Sequence, residues 1–116
     1  MEVRILNSCK KELEELPDDI IEGFIDAIAK LQIGLTLKMP LSRQMLSIGK
    51  QVFELRFRDK HRIYRVVYFI RKKEAIYIIH AFTKKTQKTP KKNIELAKKR
   101  LKRLLWKLQS TITWKI

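Results

Sequence analysis

Cysteine and histidine are nearly absent: Cys9, His61 and His80 are the whole supply in 116 residues. A lone thiol closes no internal disulfide, and these three ligands lack zinc-site spacing, so a disulfide scaffold and a structural zinc module are both excluded. Glycine is equally scarce. Gly23, Gly34 and Gly49 are too scattered to form a phosphate-cradling loop, and no serine sits in a Gly-x-Ser-x-Gly elbow, so nucleotide-dependent and serine-hydrolase chemistry find no support. Long apolar runs are missing too. The longest, near residues 64–70 and 75–79, fall far short of the ~18 residues a membrane-spanning helix needs. The first residues turn acidic where a signal peptide needs its apolar stretch. The expectation is a soluble, cytoplasmic protein with no membrane association, no metal and no cofactor, folded as a single domain over residues 1–116.

Acidic residues run out early. Through Asp26 the chain carries eight acids against Arg4, Lys10 and Lys11; afterwards 24 basic residues face only Glu54, Asp59, Glu74 and Glu95. The formal net charge is +15, so the basic portion repels itself unless a polyanion neutralises it, and nucleic acid is the commonest such partner. Density sharpens the point: between Lys84 and Lys107 lie eleven basic residues and one acid.

The pattern of apolar residues predicts an α+β domain. Val3 and Ile5 alternate with Arg4 in a short strand over residues 2–6, and Asn7 or Ser8 is placed to cap a helix. A second helix starts at Pro17 with Asp18 and Asp19 in its first turn. It repeats Ile21, Phe24, Ile25, Ile28 and Leu31, and stops at Gly34. Together they predict an N-terminal helical hairpin. Residues 35–49 read as a loop. Phe53, Leu55 and Phe57 alternate with Glu54, Arg56 and Arg58, then residues 63–70 and 75–82 are β-branched and aromatic, with short polar turns between. These make a small antiparallel meander. Its inner strands are apolar on both faces, so helices should cover one face fully and the other in part. Pro90 opens a final amphipathic helix whose stripe is Ile94, Ala97, Leu101, Leu104, Leu105 and Leu108.

Arginine inside strands needs a reason. Arg56, Arg58 and Arg65 lie on adjacent strands, and Arg65 interrupts an apolar run. They either pair with Glu54 or Asp59, or form a phosphate clamp, since the planar guanidinium matches phosphate oxygens and stays charged at any workable pH. Clustered, such groups stabilise the negative charge of a phosphoryl-transfer transition state. A lysine crowded among like charges loses proton affinity and can serve as a base near neutrality. His80 alternates with Ile78 and Phe82 and reads as packed, as does Cys9.

The runs VFELRFRDKHRIYRVVYF and IYIIHAFTKKTQKTPKKNIELAKKRL, about residues 52–104, resemble the HigB branch of the RelE/ParE toxin superfamily, the phage-derived HigB-like toxins of type II toxin-antitoxin systems. The resemblance implies a RelE-like fold, the helical hairpin packed on a small antiparallel sheet with a basic C-terminal helix. It also implies a metal-independent mRNA endoribonuclease that acts at the ribosome and inhibits translation, neutralised by a helix-turn-helix antitoxin. Carried over, the catalytic residues are Arg56 and Arg65 on the strands and Lys84 or Lys85 after the last strand, with Arg58 adjacent. Arg58, Lys88, Lys91, Lys92, Lys98, Lys99 and Lys102 become RNA contacts, the final helix docking on ribosomal RNA. Two positions depart from RelE proper: Glu54 stands where it has a lysine, and no tyrosine follows Lys85, leaving Tyr64, Tyr68 or Phe82 to stack on substrate. On this reading Arg65→Ala abolishes cleavage with little loss of folding. The alternatives are a ParE-like gyrase inhibitor, told apart by truncated message in a translation extract, and a non-catalytic RNA-binding module.

Overall fold

The computed structural model describes residues 1–72, 74–85 and 88–115, with side chains described up to Gln109, so Trp114 and Ile116 of the tail lie outside the described side chains. In chain order come strand β1 (Glu2–Ile5), helices α1 (Asn7–Glu14) and α2 (Asp18–Gln32), strands β2 (Ser42–Gln44), β3 (Val52–Arg58), β4 (Ile63–Arg71) and β5 (Ala75–Lys84), and helix α3 (Lys91–Lys115). No helix among the described residues is long and apolar enough to cross a membrane.

The α+β class and the β3–β4–β5 meander follow the sequence pattern, but the sheet departs from it. It has five strands in the order β1-β5-β4-β3-β2 and is mixed, because β1 pairs in parallel with β5, Glu2 opposite Ala75 and Ile5 opposite Ile78. A four-residue alternation marks a strand without saying which distant edge it joins. β2 lies in the stretch read as loop, three residues being too few to show a period; it pairs antiparallel with β3, and its Ser42 hydroxyl meets the Tyr68 hydroxyl at 2.7 Å. Neither Asn7 nor Ser8 caps α1, whose N-cap position is Leu6 with no side-chain hydrogen bond. The end of α2 is as expected. Gly34 adopts φ 89°, letting its N–H reach Leu31 O and the Leu35 N–H reach Lys30 O, each at 3.0 Å.

Both sheet faces are covered, unequally. Leu55, Val66, Tyr68, Ile76 and Ile78 pack against Cys9 of α1 and Ile20, Phe24, Ala27, Ile28 and Leu31 of α2. Burying a leucine or isoleucine fully is worth about 1.5–3 kcal/mol, so this layer is the main store of stability. On the opposite face Val52, Val67, Phe69, Tyr77 and Ile79 meet Ala97, Leu101 and Leu104 of α3. The α3 stripe covers only half of that face, at Val52, Val67, Phe69, Tyr77 and Ile79. The other half, holding Arg43, Glu54, Arg56, Arg65 and Lys84, has no helix packed over it. On that half Arg43 and Arg58 are exposed and Arg56 is half-buried, whereas Glu54, Arg65 and Lys84 are buried.

Candidate functional site: a cationic cluster on the open half of the sheet

Pairing register builds the cluster. Arg56 lies directly opposite Arg65, Arg65 opposite Phe82, Ile63 opposite Lys84, and Arg43 opposite Glu54. Because strand side chains alternate between faces, these positions share one face. Like charges placed opposite one another repel, so a counter-charge is needed, and Glu54 supplies it. Its carboxylate is buried with Oε1 3.1 Å from Arg65 Nε, the two side chains only 1% and 3% exposed. Arg65 also donates to Tyr64 O at 3.2 Å. The Thr89 hydroxyl donates to Glu54 Oε2 at 2.9 Å and accepts from Lys84 Nζ at 3.4 Å. A continuous chain Arg65–Glu54–Thr89–Lys84 thus ties three strands to the basic loop before α3.

Five cations, Arg43, Arg56, Arg58, Arg65 and Lys84, gather around this one carboxylate. Asp59, the other acid the sequence offered as a partner, is spent on its own turn. It accepts from Tyr64 Oη at 2.7 Å and from the His61 and Arg62 N–H groups at 2.8 Å, and these bonds, Tyr64 first, hold its carboxyl down to about 2. Arg56 consequently has no ion pair among the described residues. Its buried Nε has no hydrogen-bond partner there, and its Nη1 touches only Met39 Sδ at 3.8 Å. Lys84 is buried, and that burial pushes its ammonium down to about 8; Arg65, Arg56 and Arg43 add to the effect, while Glu54 opposes it. Beside the cluster opens a hollow of about 380 Å³ between Pro40, Leu41, Phe57 and Ile63, rimmed by Arg56, Arg58 and Arg65.

Of the residues expected from sequence, Arg56, Arg58, Arg65 and Lys84 come together. Lys85 does not join them: it lies just past the end of β5 and is exposed. Arg65 is the buried ion-pair member rather than an open clamp. Its removal strands a buried carboxylate, which replaces the expectation that Arg65→Ala costs little folding. Lys88, Lys91, Lys92, Lys98, Lys99 and Lys102 are all exposed. His80 is packed as read, Nδ1 2.9 Å from Glu12 Oε1 and Nε2 2.8 Å from Asn93 Oδ1, with Phe82 stacked at 5.0 Å. The hydroxyls of Tyr64 and Tyr68 are engaged with Asp59 and Ser42, which leaves half-buried Phe82, opposite Arg65, as the aromatic ring beside the cluster.

Two participants escaped the sequence reading: Arg43 stood in a strand too short to recognise and Thr89 in a loop with no period, whereas Glu54, offered there as an ion-pair partner, is the partner of Arg65. Arg100, one of many basic residues on α3, turns inward and clamps Glu12 with two bonds of 2.8 and 3.0 Å, fastening α1 to α3. Compared with known proteins, residues 11–102 match the family described as phage derived protein Gp49-like (DUF891). No curated protein matches the chain.

Proposed function

This chain belongs to the phage-derived Gp49-like family, part of the RelE/HigB-like toxin group, and from that membership we propose that it is the toxin of a toxin-antitoxin pair and cuts messenger RNA on the ribosome. The proposal includes the RelE-like arrangement of hairpin, sheet and basic helix, action in the cytoplasm, and a helix-turn-helix antitoxin as the neutralising partner. The observation that carries it is the gathering of five cations around one carboxylate on the open half of the sheet, with the Arg56 Nε–H left for an outside acceptor.

Such a site suits transesterification. Lys84, whose proton affinity is lowered, takes the proton of a ribose 2′-hydroxyl. The 2′-oxygen bonds to phosphorus, the bond to the 5′-oxygen breaks, and the leaving oxygen takes a proton from water, yielding a 2′,3′-cyclic phosphate. Arg56 and Arg43 face the charge that develops on the non-bridging oxygens, where one well-placed donor is worth ~10²–10³ in rate. Arg65 contributes its field from below and holds Glu54 in place. The site supplies charge more than geometry, so a ribosome that pre-orients the message contributes strongly. The exposed lysines of α3 dock on ribosomal RNA.

Adding the protein to a translating extract should truncate messages and leave cyclic phosphate ends. Arg56→Ala should lower cleavage by at least ~100-fold while leaving the fold intact, since Arg56 has no ion pair among the described residues to lose. Full cleavage by that variant refutes the assignment, and intact message together with blocked DNA supercoiling points to a gyrase poison instead.

A further inference from the structure

Lys84 reaches the open half of the sheet through an irregularity in β5. The pairing with β4 sets Phe69 opposite Tyr77 and Tyr68 opposite Ile78, then Val67 opposite His80, so Ile79 is one extra residue, a β-bulge. Before it, Ile76 and Ile78 pack in the layer under α1 and α2. In an unbroken strand His80, Phe82 and Lys84 would follow them onto that covered face, since side chains two apart share a face. The bulge reverses this. Phe82 comes opposite Arg65 and Lys84 opposite Ile63, on the face of the cationic cluster. The apolar pattern does not demand the extra residue: Ile76, Ile78, His80 and Phe82 alternate acceptably with Tyr77, Ile79 and Ala81. Something outside the strand has to hold it.

That hold comes from two helices. β1 ends opposite Ile78, where the Leu6 N–H reaches Ile78 O at 3.1 Å. Arg100 of α3 donates from Nη1 to the next carbonyl, Ile79 O, at 3.0 Å, and the Ala81 N–H donates to Glu12 Oε1 of α1 at 3.2 Å. Successive carbonyls of a regular strand point to opposite edges, yet those of Ile78 and Ile79 are both bonded from outside the β4–β5 ladder. Bulged backbone groups need partners, because an unmatched buried amide or carbonyl is costly. Glu12 and Arg100 are themselves locked together by bonds of 2.8 and 3.0 Å, and Glu12 Oε1 lies 2.9 Å from His80 Nδ1. We infer that Glu12 and Arg100 are positioning residues for Lys84: clamped on the bulge at Ile79, they set the register that brings Lys84 to the face of Arg56 and Arg65. Without the clamp a slip of one residue sends every following side chain to the other face, and Thr83 replaces Lys84 in the cluster. That Lys84 is a base rests on the cleavage reading above; that the clamp places it does not.

The test uses the full chain. Glu12→Leu together with Arg100→Leu removes the clamp without stranding either charge, so the domain should still fold. Cross-strand backbone contacts in NMR spectra report the register: Val67–His80 and Arg65–Phe82 in the parent should give way to Val67–Ile79 and Arg65–Ala81. The Lys84 ammonium should then titrate near its ordinary 10.5 instead of about 8, and cleavage should fall ~100-fold or more. Glu12→Gln, which keeps an acceptor for the Ala81 N–H, should lose stability and hold the parent register. Arg100→Met, which leaves the Glu12 carboxylate to water, is the second variant, read by the same contacts should the double variant not fold; it should populate the slipped register. A merely structural role predicts the parent register in all three proteins, and finding it in the double variant, or in Arg100→Met, overturns the inference whatever happens to cleavage. A variant whose register moves and which still cuts RNA leaves the clamp standing and sinks Lys84 as the base.

Discussion

Replacing Arg65 by alanine should cost far more stability than the same change at Arg56. The guanidinium and the Glu54 carboxylate are 3% and 1% exposed and 3.1 Å apart, so neither has water to fall back on. Breaking a buried pair from one side leaves an uncompensated charge and typically costs ~3–5 kcal/mol, out of ~5–15 kcal/mol for a whole domain. In melting temperature that is roughly 10–20 °C for a chain of this size. Removing both charges together, as in Arg65→Met with Glu54→Leu, should recover most of the loss, because the penalty lies in the orphaned carboxylate rather than in the absent attraction. Arg56→Ala is the control. It removes the cross-strand neighbour that repels Arg65 and should leave stability within about 1 kcal/mol of the parent. Urea denaturation followed by circular dichroism, run on the two single variants, Glu54→Leu and the double variant, closes a mutant cycle. An Arg65→Ala protein within 1 kcal/mol of the parent, or a double variant no better than the single, would refute the reasoning.

Other outcomes follow from the same geometry. Lys84 titrates near 8 instead of its ordinary 10.5, so the folded protein binds fewer protons than the unfolded chain between those values and stability should rise with pH across that window. Cleavage should rise through about pH 8 over the same groups, and Lys84→Arg, which stays charged, should remove that rise. Cys9 is buried and its thiol is pushed up to about 12, chiefly by that burial. It should therefore resist a disulfide-exchange reagent in the native state and react fully in urea, whereas rapid native labelling would contradict the packing of α1.

The elements were legible where the sequence repeats itself often enough. Fifteen residues of α2 and ten of β5 each show several periods, and Gly34 marks the helix end because its positive φ favours a residue without Cβ. The cationic strand positions were legible for a related reason: alternation puts Glu54, Arg56 and Arg58 on one face whatever the partner strand. What could not be read was who faces whom. The parallel joining of β1 to β5 spans some seventy residues of chain, and β2 contributes Arg43 from three residues with no visible period.

Composition alone decided that this is a basic α+β domain with arginines planted in its strands, because charge counts and local periodicity survive without any tertiary contact. Only the folded chain decided how those arginines divide their roles. Register and burial together gave Glu54 to Arg65 and Thr89, left Arg56 beside an open hollow, buried Lys84 and left Lys85 exposed, and sent Arg100 to Glu12. Each of those outcomes depends on distances between residues far apart in sequence, and a low-dielectric interior makes a few ångströms the difference between a counter-ion and a binding site.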